Sequence, residues 1–78
     1  MNYYGISTKH ETFECVNRHN KAAAIREGRI YAGSYCLDEE VKVYCQEGSV
    51  GACANFVACF VRRYKKDGSG NTYVERIY

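Results

Sequence analysis

The chain has no proline, no tryptophan and little net charge, and no apolar run in it approaches the length of a membrane span. Each shortage removes a class of protein. Eleven lysines and arginines against nine aspartates and glutamates leave a net charge of +2. That is too little to draw the whole molecule to a polyanion by long-range attraction, and it equally excludes a heavily acidic mimic of DNA. Any electrostatic specialisation must be local. A bilayer-spanning helix needs about 20 consecutive apolar residues, so no membrane partner is expected. The opening residues Met1-Asn2-Tyr3-Tyr4-Gly5-Ile6 lack the basic-then-apolar order of a signal peptide, so the chain reads as cytoplasmic. Internal repeats, low-complexity tracts and linkers are also missing, which leaves residues 1–78 as one small domain. Such a chain buries only roughly 60% of the surface it exposes when unfolded. A large catalytic cleft is hard to build at this size, and small domains more often work with their outer surface.

Eight tyrosines and five cysteines are present. Tyrosine suits pleated surfaces, where the ring packs on a neighbour and the hydroxyl stays wet. The odd number of cysteines, in a reducing compartment, reads as free thiols.

The clearest stretch is C-terminal. The apolar run Phe56-Val57-Ala58-Cys59-Phe60-Val61 leads into Arg62-Arg63-Tyr64-Lys65-Lys66, reverses through Asp67-Gly68-Ser69-Gly70-Asn71, and returns as Thr72-Tyr73-Val74-Glu75-Arg76-Ile77-Tyr78. β-Branched and aromatic arms flanking residues that tolerate positive φ predict a β-hairpin. Residues 50–64 also fit a helix capped by Ser49, with Ala54, Val57 and Val61 at helical spacing and Gly68 closing it. The strand reading is preferred, because the turn leads straight into Thr72-Tyr73-Val74.

Further upstream, residues 3–7 and 12–16 predict a first hairpin, with Phe13 and Cys15 on its buried face. Residues 17–28 predict a helix, with Asn17 or Asn20 as N-cap, an alanine-rich middle, Ala22 and Ile25 as contact residues, and Gly28 as an αL C-cap. Residues 29–36 give no clear element. Asp38-Glu39-Glu40 reads as a solvated turn before a strand in which Val41, Val43 and Cys45 share one face, ended by Glu47-Gly48-Ser49. The expected architecture is α+β: a single antiparallel sheet of four or five strands with one short helix packed on one face.

Catalytic and metal chemistry find little support in this pattern. Structural zinc sites usually draw ligands in pairs two to four residues apart. No such pair exists among Cys15, Cys36, Cys45, Cys53 and Cys59. The cysteines on strands therefore read as small core residues, and neither metal nor cofactor is expected. His10 and His19 have nothing in sequence to orient them beside a thiol, and no glycine-rich segment has the context of a phosphate-binding loop. No enzyme is expected.

The basic cluster is the strongest functional signal. In an alternating strand Arg62, Tyr64 and Lys66 share one face and Arg63 and Lys65 the other, with Arg76 joining from the partner arm. Such a rim either engages phosphates or carboxylates on a partner, or protects a sheet edge from aggregation. Tyrosine and arginine are enriched at the energetic centres of interfaces. The expected partner-binding set is therefore Arg62, Arg63, Tyr64, Lys65, Lys66, Tyr73, Arg76 and Tyr78, with Tyr73 and Tyr78 at least partly exposed.

The order of hairpin, alanine-rich helix and strands, with residues 21–27 in the helix and Tyr64-Lys65-Lys66-Asp67-Gly68 at a turn, resembles small phage-encoded anti-CRISPR proteins. That resemblance implies one antiparallel sheet with a short helix, and a function of blocking a CRISPR effector complex by binding it. The expected function is thus a non-enzymatic inhibitor or adaptor of phage or mobile-element type, bound to a larger protein or ribonucleoprotein complex. Direct nucleic-acid binding through the basic cluster is the alternative. A homodimer formed along the edge of residues 72–78 is a third reading.

Overall fold

The computed structural model describes residues 2–47 and 55–78. Five strands and one helix follow in the order β1 (Asn2–Ser7), β2 (Thr12–Glu14), α1 (Lys21–Ala32), β3 (Glu40–Glu47), β4 (Asn55–Tyr64) and β5 (Thr72–Arg76). The strands form one sheet in the order β2-β1-β3-β4-β5, every neighbouring pair antiparallel. This is the α+β architecture expected, with five strands. From Asn55 onward the ambiguous stretch is strand; its residues 50–54, which include Cys53, lie outside the described residues, as do Gly48 and Ser49.

Alternation along the strands sorts side chains onto two faces. Val41 and Val43 are fully buried on the face that meets α1, together with Ile6, Ala58 and Phe60. Cys45 is half-buried beside them. Fully burying a ring such as that of Phe60 stabilises the fold by about 1.5–3 kcal/mol. Arg29 and Arg76 lie 5.0 and 5.8 Å from the centre of that ring, so cations flank the edge of the core. Between Val43 and Tyr44 the pairing with β4 slips by one residue, which leaves Val57 unpaired and turns Phe56 to the helix-free face with Tyr44.

The helix differs from expectation at both its end and its contact face. Asn20 is the N-cap, its side chain accepting from the Ala23 N–H at 3.0 Å. The helix then runs through Gly28 to Ala32, absorbing part of the stretch that had no predicted element, and Gly33 caps it with φ −63°, not in the αL region. Gly28 is a point of close approach: a Cβ there would collide with the Val43 side chain and lie in contact with the Phe60 ring. The buried stripe is Ala24, Gly28 and Ala32, one small residue per turn, while Ala22 is exposed and Ile25 only partly buried. A smooth stripe lets the axis lie close to the sheet, and packing supplies what a short helix lacks by itself.

The first hairpin forms as expected but is shorter. β2 ends at Glu14, after which the Cys15 N–H still donates to Tyr4 O at 3.0 Å and the Val16 N–H to Glu27 Oε1 at 2.9 Å. Burial, reinforced by the nearby Glu27 carboxylate, pushes the Cys15 thiol up to about 12, which makes it an inert core group. Among the described residues, no helix is long and apolar enough to cross a membrane.

Candidate partner-binding surface

The β4–β5 turn has the local chemistry its sequence demands. Gly68 and Gly70 adopt φ of 75° and 77°, Asp67 Oδ1 accepts from the Ser69 N–H at 3.0 Å, and Ser69 Oγ accepts from the Asn71 N–H at 3.2 Å. Hydrogen bonds from the Ser69 side chain and backbone hold the Asp67 carboxyl below its ordinary range. The Lys65 N–H donates to Asn71 O at 2.8 Å and closes the loop.

Around this turn the basic cluster splits into parts with different duties. Because β4 ends at Tyr64, Lys65 and Lys66 do not continue the strand alternation; they sit exposed in the turn. The two arginines are engaged by groups within the chain. Arg62 is half-buried, and its Nε donates to Tyr35 O at 2.6 Å, while its carbonyl accepts from the Asp38 N–H at 3.0 Å. Arg63 lies on the opposite face, with Nε 2.6 Å from Glu75 Oε2 and Nη1 3.5 Å from Asp38 Oδ1. Arg62 and Arg63 therefore dock the segment between α1 and β3 onto β4. Arg76 donates from Nε to Tyr78 O at 3.0 Å and from Nη2 to Val57 O at 3.5 Å. All three arginines have acceptors within the chain, so the cluster is not one basic patch.

The aromatic members are exposed: Tyr64 by 59%, Tyr73 by 37% and Tyr78 by 67%. Tyr73 shares the helix-free face with Arg63, whereas Tyr64 pairs with Thr72 on the other. Pairing continues past β5, the Ile77 N–H donating to Cys59 O at 2.9 Å and the Cys59 N–H to Tyr78 O at 3.2 Å. From this register, alternation turns the N–H and C=O groups of Thr72, Val74 and Arg76 away from β4. β5 is the last strand in the sheet order, and among the described residues nothing pairs with this outer side.

On the helix-free face, toward the end of the hairpin away from its turn, lies a groove of about 610 Å³, with Phe56, Cys59, Ile77 and Tyr78 as its apolar walls and Glu40 and Lys42 beside them. The Lys42 ammonium lies 4.8 Å from the centre of the Phe56 ring. The Cys59 thiol donates weakly to Glu40 Oε2 at 3.7 Å, and burial followed by that carboxylate raises its pKa. Sequence reasoning did not select Phe56 or Ile77. The irregular pairing at Val43/Tyr44 and the bonds beyond β5 that place them on this face are tertiary features.

Elsewhere the structure brings His10, Cys36 and Glu39 together, their ligand-type atoms all within 4.8 Å of one another. A search for cysteine pairs misses this group, because two of its members are not cysteines and His10 is distant in sequence. Compared with protein-family models, with curated proteins and with solved structures, the chain matches none.

Proposed function

We propose that the protein is a non-enzymatic binding module that docks the open side of its β4–β5 hairpin onto a larger protein or ribonucleoprotein complex. One observation carries this reading. Among the described residues, the large hydrophobic side chains left exposed are Val16, Ile30, Phe56, Tyr64, Tyr73, Ile77 and Tyr78. All but the first two belong to β4, β5 or the two residues that follow. Phe56, Ile77 and Tyr78 line the groove, while Tyr64 and Tyr73 stand at the turn end of the same hairpin. Exposed apolar side chains gathered on one hairpin beside an unpaired strand edge are the composition of an interface. An extended segment of a partner can add to the β5 edge through main-chain hydrogen bonds while side chains enter the groove.

The layout resemblance to phage-encoded anti-CRISPR proteins supports an inhibitor of a nucleic-acid-processing complex, acting in the cytoplasm of a host cell. Lys65 and Lys66 at the turn would face acidic or nucleic-acid-bearing surface on that target. Because Arg62, Arg63 and Arg76 have acceptors within the chain, direct nucleic-acid binding is weaker support for the same residues. The unpaired β5 edge also favours a symmetric dimer as a second reading.

Capture of the tagged chain from the cell in which it acts, alongside a Tyr64→Ala, Tyr73→Ala, Tyr78→Ala variant, tests the proposal. The unaltered chain is expected to retain a partner that the variant loses. A partner held equally by both sinks the docking surface. Titration with labelled single-stranded and duplex nucleic acid at two salt concentrations is expected to show no strong salt-dependent binding. Light scattering separates the dimer reading, against which a monomeric mass would count.

A further inference from the structure

We propose that His10, Cys36 and Glu39 form a binding site for a divalent transition-metal ion of the zinc class. Imidazole nitrogen, thiolate sulfur and carboxylate oxygen are the three ligand types that zinc prefers, and three protein ligands leave a fourth, tetrahedral position open. Typical metal–ligand bonds of about 2.0–2.3 Å place tetrahedral ligand atoms roughly 3.3–3.6 Å apart. His10 Nε2 and Glu39 Oε2 already stand 3.5 Å apart. The whole set spans no more than 4.8 Å, so a small rotation of the Cys36 side chain completes the triangle.

A second observation concerns Glu39 itself. Its Oε2 atom is buried and makes no hydrogen bond among the described residues, its contact being the His10 ring at 3.5 Å. A buried carboxylate oxygen without a well-placed donor is costly, and a bound ion between it and the imidazole is one of the explanations such an atom calls for. Its neighbours in the acidic run have cations of their own: Asp38 lies 3.5 Å from Arg63, and Glu40 lies 3.8 Å from Lys42. Glu39 alone turns to the imidazole. Asp38, at φ 60°, reverses the chain between Cys36 and Glu39.

Both segments that carry the ligands are held. Thr8 Oγ1 accepts from the N–H groups of His10 at 3.3 Å and Glu11 at 3.1 Å, and Tyr31 donates its hydroxyl to Glu11 Oε1 at 2.7 Å, which ties this turn to α1. The segment bearing Cys36 and Glu39 is anchored by Arg62 through Tyr35 O and Asp38 N–H. His10 and Cys36 are exposed, which gives an ion a path of entry. Binding takes Cys36 as the thiolate, its proton passing to solvent, and His10 as neutral imidazole.

The test uses the full chain, stripped with a chelator and then titrated with Zn²⁺ or with Co²⁺ as a spectroscopic probe. Binding of one equivalent is expected, with a thiolate-to-cobalt charge-transfer band. Cys36→Ser should abolish that band and Cys45→Ser should preserve it. His10→Gln and Glu39→Gln should each weaken binding by more than the roughly 10- to 100-fold that loss of an outer-shell partner costs. Circular dichroism checks that the variants fold. A footprint on the unaltered chain needs no variant: stoichiometric Zn²⁺ should slow alkylation of Cys36, read by peptide mass, without slowing that of Cys45. Equal alkylation of Cys36 with and without Zn²⁺, or an unchanged cobalt spectrum in the Cys36→Ser variant, overturns the site.

Discussion

The turn joining β4 to β5 and the segment joining α1 to β3 are of similar length, yet they are held in opposite ways. The first satisfies itself: Asp67, Ser69 and Asn71 hydrogen-bond to one another, and Gly68 and Gly70 supply the positive φ values. The second, residues 33–39, is held largely from outside, by Arg62 and Arg63 reaching from β4 and by an isolated parallel bridge between Leu37 and Arg62. A turn encoded by its own residues can be read in sequence and altered without disturbing its surroundings. A segment encoded by its neighbours is neither. The same arginines that read as a partner-facing patch are the clamps on that segment.

This contrast can be broken most forcefully through the core that both regions share. Phe60→Ala removes the ring that β4 presents to α1 and is expected to cost about 3–5 kcal/mol, a large part of the stability of a small domain. Urea unfolding followed by circular dichroism measures it. If the loss were below that of an ordinary surface substitution, the described core would be wrong.

Next comes the clamp. Arg62→Met keeps the length of the side chain but leaves Tyr35 O without its donor, at a cost of about 1–3 kcal/mol. Amide exchange should quicken at Leu37 and Asp38 and stay unchanged at Ser69 and Asn71. Quickening spread evenly over both regions would erase the distinction drawn between them.

A smaller and purely local effect is expected at the turn. Gly68→Ala places a Cβ in open space but at a left-handed φ, costing roughly 1 kcal/mol. Chemical shifts of residues 33–39 should not move; a shift there would show that the turn is coupled to the distant segment after all.

The smallest effect is the response to acid. Because the folded Asp67 carboxyl lies below its ordinary value of 3.8, its contribution is fully present above that value and fades as pH falls through the folded pKa. Asp67→Asn should flatten this part of the stability profile between neutral and strongly acid pH. An unaltered profile would mean that the Ser69 hydrogen bonds do not favour the charged form.

Legibility followed the same division. Alternation identified Val41, Val43 and Phe13 with their partners, and turn chemistry located the terminal hairpin, because period and turn preference are properties of neighbouring residues. Gly28 misled, since a glycine in a helix serves termination and close packing alike and only Val43 and Phe60 reveal which. The surface was half legible: Tyr73 and Tyr78 stand exposed as their positions suggested, but Phe56 reaches the groove only through the irregular pairing with β3. Cys36 and Glu39 have the close spacing of a zinc-ligand pair, a signal that pairing cysteines alone passes over, and His10 joins them only because the β1–β2 turn and the α1–β3 segment meet at one end of the sheet.

By itself, then, the sequence determined the two hairpins, one alanine-rich helix starting near Asn17 or Asn20 and the antiparallel sheet, all of which follow from short-range periodicity, turn residues and the burial those patterns demand. Tertiary structure alone decided how far α1 runs, which cations remain available, and which polar side chains meet. Those depend on contacts between residues remote in the chain, where a single acceptor such as Tyr35 O or Glu75 is enough to change what an arginine does.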